Sequence, residues 1–200
     1  MKKRSMQKRA TILEASTRVF LEKGYSESGM TEIAAEAEVS TATLYGHFAG
    51  KEELFDAVVE RLWHKLRPEE GSEAWDRPPE QALTDFGRNV LKVLVSPTSL
   101  ALFRIIIAQA NRFPELTQAF RYHGDEAMTQ TLAHYLSRQT KLGVLAVNQP
   151  DQAARQFLGM VKEAVFWPRV LGVGKPPSKR EIENAVSNAV SIFLKSYRRA

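Results

Sequence analysis

Apolar residues recur along the chain at intervals of three and four, the spacing of one buried face of an α-helix, and the period-two alternation of strands is absent. Ile12, Ala15, Val19 and Phe20 form a first stripe, and Gly24 follows as a helix-ending glycine. Ile33, Ala34 and Ala37 form a second, Ala42 to Phe48 a third, and Leu54, Phe55, Val58, Val59 and Leu62 a fourth. Residues 67–79 break the pattern with Pro68, Gly71, Pro78 and Pro79, and read as a linker loop. Beyond it, Ala82, Phe86, Val90, Leu91 and Leu94 share a face. Ser96–Pro97 starts a helix that carries Leu102, Phe103 and Ile106 to about Arg112. Pro114 opens a long helical stretch to Gly143, with Gly124 a point of interruption. Pro150 opens another, ending near Trp167–Pro168. Ser178 and Glu181, at capping-box spacing, start the last helix, which aligns Ile182, Val186, Ala189 and Phe193. The pattern predicts an all-α chain of about nine helices. The domains divide at 1–66 and 80–200.

Charge sharpens this picture at one end. The net charge is +5, and Lys2, Lys3, Arg4, Lys8 and Arg9 account for all of it, with no acid among the first nine residues. Such an arm suits phosphate neutralisation. There is no cysteine, which excludes disulfides and thiolate metal sites and fits a reducing cytoplasm. No secretory signal is evident, and the apolar run Leu100 to Ala108 is broken by Arg104 and too short to span a bilayer. The histidines at 47, 64, 123 and 134 lack metal-ligand spacing, and no nucleophile elbow, phosphate-cradling glycine loop or paired-carboxylate motif stands out. The reading is of a non-enzyme with no cofactor, no metal and no membrane partner.

The second and third stripes fit the two helices of a helix-turn-helix over residues 29–48. Within Thr41 to Phe48, Leu44 and Phe48 can both face a core, leaving Thr41, Ala42, Tyr45, Gly46 and His47 outside. Ser40 can cap this helix, whose free N–H groups favour a phosphate, and Lys51 follows where it can meet backbone charge. Gly24–Tyr25, Ile33–Ala34, Ala37 to Ser40, Thr43 to Phe48 and Lys51 to Phe55 together resemble the TetR family of bacterial repressors, without a gap from about Ala10 to Leu62. The resemblance implies that Tyr45 and Lys51 hold phosphates and that His47 touches backbone or bases. It also implies that Thr41, Ala42, Thr43 and Gly46 face the major groove and that Thr31 adds a base contact. Four residues depart from the family pattern. Gly29 stands where a hydroxyl cap is usual, Glu38 where the turn has glycine, Thr41 for a frequent lysine, and Gly46 for a larger side chain. Each weakens the interface or makes it less directive. A helical protein-interaction module that has lost DNA binding is the alternative they leave open.

The rest of the chain is similar to the AefR-like branch of that family, at Arg104 to Ala108, Arg112 to Leu116, Phe157 to Met160 and Leu171–Gly172. This resemblance implies a helical ligand-binding and dimerisation domain. An apolar pocket with a few polar groups would draw on Phe103, Ile107, Asn111, Phe113, His123, Met128, Met160, Glu163 and Trp167. A homodimer seam would use Phe157, Val161, Val165, Val186, Ala189 and Phe193. The implied partners are a palindromic double-stranded operator, a second copy of the chain and a small-molecule effector, with the protein in the bacterial cytoplasm at the nucleoid.

Overall fold

The computed structural model describes residues 2–64 and 76–199. Among them are eleven α-helices: α1 (Lys2–Glu27), α2 (Met30–Glu36), α3 (Thr41–Tyr45), α4 (Lys51–His64), α5 (Pro79–Leu94), α6 (Pro97–Gln109), α7 (Pro114–Phe120), α8 (Ala127–Lys141), α9 (Pro150–Glu163), α10 (Phe166–Val170) and α11 (Lys179–Tyr197). A π-helical turn, Arg121–Glu126, joins α7 to α8. No strand occurs among the described residues, only an isolated bridge between Leu145 and Arg198. Of the expected linker 67–79, residues 67–75 lie outside the described residues, and Pro79 already begins α5.

Two breaks raise the count above nine. The long stretch after Pro114 is divided by the π turn. The stretch after Pro150 breaks at Ala164, because Pro168 has no N–H to donate to that carbonyl. Gly24 leaves helical geometry as expected (φ 78°), but one more turn follows it to Glu27.

The chain divides into two compact units, residues 1–63 with 101–124, and 64–100 with 125–200. In the first, Phe20, Tyr25 and Phe55 pack at centroid distances of 5.3–5.8 Å. A second cluster joins Trp63, Phe103 and Phe120. Gly124 packs tightly beside it: a Cβ there would lie 3.0 Å from Phe120 and 3.1 Å from Trp63, so the rings would have to give by a few tenths of an ångström.

In the second unit α11 packs against α5 and α9, and α8 against α9. A Cβ on Gly87 would meet Val186 at 3.2 Å, so the glycine lets α5 and α11 approach closely. Phe157 and Phe193 stack edge-to-face at 5.5 Å between α9 and α11. This packing corrects the expected dimer seam. Phe157, Val161, Val165, Val186, Ala189 and Phe193 are all at most 2% exposed within one chain, so none has surface left for a partner.

Candidate nucleic-acid interface

Helix α2 starts at Gly29, which offers no side-chain cap, and buries Ile33 and Ala34. It ends in a Schellman turn, with Glu38 N–H bonded to the Ala35 carbonyl and Val39 N–H to that of Ala34, each at 3.0 Å. Glu38 takes the left-handed position at φ 53°, where the sequence departs from glycine.

The turn delivers Ser40, whose hydroxyl oxygen accepts from Thr43 N–H at 3.1 Å and caps α3. The Ser40 and Thr43 hydroxyls also bond each other at 2.8 Å. Leu44 and Phe48 are buried, whereas Thr41, Ala42, Tyr45 and Gly46 are exposed and Thr43 and His47 half-buried. α3 itself closes one turn earlier than expected: Gly46 caps it, and His47 and Phe48 follow in a turn. Thr31 is exposed on α2.

The basic start of the chain is part of α1, with Arg9 placing its guanidinium 5.2 Å from the Phe48 ring centre. That contact brings a cation beside the end of the α3 turn. Surface pairs Arg18–Glu36, Lys23–Glu32 and Arg61–Glu14 tie α1 to α2 and α4.

Lys51 has a different position from the one expected. Its Nζ donates to the carbonyls of Tyr25, Ser26 and Ser28 at 2.7, 3.3 and 3.0 Å, and lies 4.6 Å from the Tyr25 ring centre. All three ammonium protons have acceptors in the protein, so the side chain closes the C-terminal end of α1 instead of reaching for a phosphate. Partial burial holds its pKa below the usual lysine range, chiefly by desolvation. The Tyr25 hydroxyl in turn donates to Glu115 at 3.2 Å, and its ring packs on Phe113 at 5.0 Å. Burial, then the Glu115 charge, pushes the Tyr25 phenol up.

The expected effector-lining residues do not gather within either unit. Phe103, Ile107, Asn111, Phe113 and His123 belong to the first unit, and Met128, Met160, Glu163 and Trp167 to the second. Phe103, His123 and Met128 are buried and Phe113 and Met160 half-buried. Ile107, Asn111, Glu163 and Trp167 are exposed. His123 places Nε2 3.0 Å from both oxygens of Asp56 on α4, a pairing with no periodic signal in the sequence.

Residues 12–58 match the family described as bacterial regulatory proteins, tetR family, and residues 81–199 match the AefR-like transcriptional repressor C-terminal domain. The chain belongs to the TetR family. A TetR-family regulator structure from Mesorhizobium loti superposes with a TM-score of 0.84 at 30% identity, over 98% of this chain and 99% of that one. The flavonoid-responsive regulator FrrA gives 0.76 at 32% identity, over 97% and 99%. The transcriptional repressor Rv3405c of Mycobacterium tuberculosis is 30% identical over 135 residues, 65% of this chain and 69% of that protein. As a TetR-family protein, the chain is a DNA-binding transcriptional regulator and not an enzyme. Among the described residues no single helix is long and apolar enough to cross a membrane.

Proposed function

We propose that this TetR-family regulator is a homodimeric repressor that holds a palindromic operator and leaves it when a small molecule binds the C-terminal domain. The observation that carries the DNA-binding part is the exposed edge of α3, capped by Ser40, with Thr41 and Tyr45 facing outward. Tyr45 is 54% exposed although it is aromatic, a poor arrangement for a core residue and a good one for a phosphate or base contact. Thr31, Ala42, Thr43, Gly46 and His47 complete the contact surface.

Pairing follows from the geometry of reading, since two recognition helices meet half-sites one helical turn apart. Among the exposed apolar residues, Trp167, Leu171 and Val173 at and after α10, and Ile192 on α11, are the ones we assign to a seam. The responsiveness of FrrA to flavonoids, at similar length, supports a small-molecule effector here. Effector binding would favour one arrangement of the two heads over the other.

Fluorescence anisotropy with duplexes tiled across the promoters of its own and neighbouring operons tests this. Binding of modest affinity and strong salt dependence, with preference for one palindromic duplex, is expected. Equal weak binding to every duplex, or none, would support the protein-interaction alternative.

A further inference from the structure

We propose that the groove between α5 and α11 in the second unit is a binding site for a small phosphorylated molecule. The groove runs along both helices, and its two halves share Glu80, Thr84 and Arg198 as wall residues. Along one half stand Lys195, Arg198 and Arg199, three cations within the last turn of α11 and just beyond it.

These three differ from the other arginines of the groove. Arg77 is paired with Asp85, and Arg88 with Asp85 and Glu183. Lys195, Arg198 and Arg199 have no carboxylate partner among the described residues. Nor are their side chains engaged by the carbonyls at the end of their own helix, which backbone N–H groups take instead. The Tyr197 carbonyl is taken by Ala146 N–H at 2.8 Å, and that of Leu194 by Arg198 N–H at 2.9 Å. Lys195, Arg198 and Arg199 all line this furrow, so their like charges repel one another and an anion entering it relieves part of that repulsion.

The rest of the lining narrows the class of anion. Two guanidiniums and an ammonium suit tetrahedral phosphate oxygens, which accept forked N–H donors from several directions. Val190 and Leu194 give the groove an apolar floor, both less than 10% exposed. Ser191 adds a hydroxyl, and Glu80 on the opposite wall can accept from a ligand hydroxyl while repelling a second anionic end. A phosphate group, a neighbouring hydroxylated segment and a flat apolar face would meet all of these at once, as in a nucleotide or sugar phosphate.

The site is testable without DNA, so it stands or falls apart from the operator reading. Isothermal titration calorimetry would be run on the full chain with pyrophosphate at fixed ionic strength, using sulfate and citrate as comparators. Pyrophosphate should bind saturably and at least about tenfold tighter than either comparator, since the class is set by forked donors and not by charge alone. Lys195→Gln with Arg198→Gln should weaken it by about tenfold or more. Ser191→Glu, an exposed change in the groove, should do the same while thermal unfolding remains at the wild-type midpoint. Absence of saturable heat overturns the proposal, as do equal responses to all three anions or unchanged binding in both variants. Citrate binding as tightly as pyrophosphate overturns the phosphate assignment.

Discussion

The Lys51 ammonium touches Tyr25 twice, donating to its carbonyl at 2.7 Å and lying 4.6 Å from the centre of its ring. One side chain thus fastens the start of α4 to the end of α1, next to the left-handed Gly24.

Lys51→Met, which keeps the stem and removes the donors, should therefore act on stability. Three carbonyls lose a charged partner, and a loss of about 1–3 kcal/mol is expected from urea unfolding. The slope of operator affinity against salt should stay unchanged. If the slope instead falls by about 0.9, with stability untouched, the lysine is holding a phosphate.

Glu38→Gly should improve the protein on two counts. Glycine relieves the left-handed strain, worth up to about 1 kcal/mol, though extra freedom in the unfolded chain offsets part of it. It also removes a carboxylate from the helix-turn-helix, so operator affinity should rise, and more at 50 mM than at 200 mM salt because screening hides the charge. Affinity that does not move at either salt places Glu38 away from the DNA.

Ile192→Asp and Val186→Asp should separate pairing from folding. Ile192 is 55% exposed and Val186 fully buried. The first variant should stay folded and run as a monomer in light scattering after gel filtration. The second should unfold, because a buried unpaired charge costs several kcal/mol. A wild-type-sized Ile192→Asp particle moves the seam to another face.

Acid sensitivity should be partly assigned to the cap of α11. Glu181 accepts from Ser178 N–H at 2.8 Å, from the Ser178 hydroxyl at 2.9 Å and from Arg169 at 2.6 Å. The backbone bond first, then the hydroxyl and the guanidinium, hold its pKa down at about 2. A depressed carboxylate stabilises the fold above its unfolded pKa of about 4.3, and the effect is lost as pH falls toward about 2. Glu181→Gln should flatten the thermal midpoint across that interval. Parallel curves for both proteins would contradict the assignment.

The helices were legible where a stripe of apolar residues ran between clear stop and start residues, as in α5 and α11. The turn through Glu38 was legible through the family resemblance, which puts a glycine at that position, and the residue there is left-handed. An amphipathic stripe says that a face is buried and not what buries it. That is why Val161 and Phe193 pointed to a second subunit when α5, α9 and α11 already cover them. Lys51 misled for a related reason: carbonyls have no signature in a sequence, so a lysine beside a reading helix looks free until the end of α1 is folded against it. The π turn at Arg121–Glu126 left only Gly124 as a trace, and the meaning of that glycine depends on Trp63, sixty-one positions away.

The bond between the Ser40 and Thr43 hydroxyls has a consequence for what α3 can read. A hydroxyl engaged in its own helix cap is a poor hydrogen-bond probe of a base edge. The group left untied on Thr43 is its methyl, and the base feature that welcomes a methyl in the major groove is the C5-methyl of thymine. Thr43→Val should then preserve sequence preference and Thr43→Ser should lose it. Exchange of one operator thymine for deoxyuridine should weaken the native protein as much as the serine variant is weakened. If valine proves as damaging as serine, Thr43 reads through its oxygen after all.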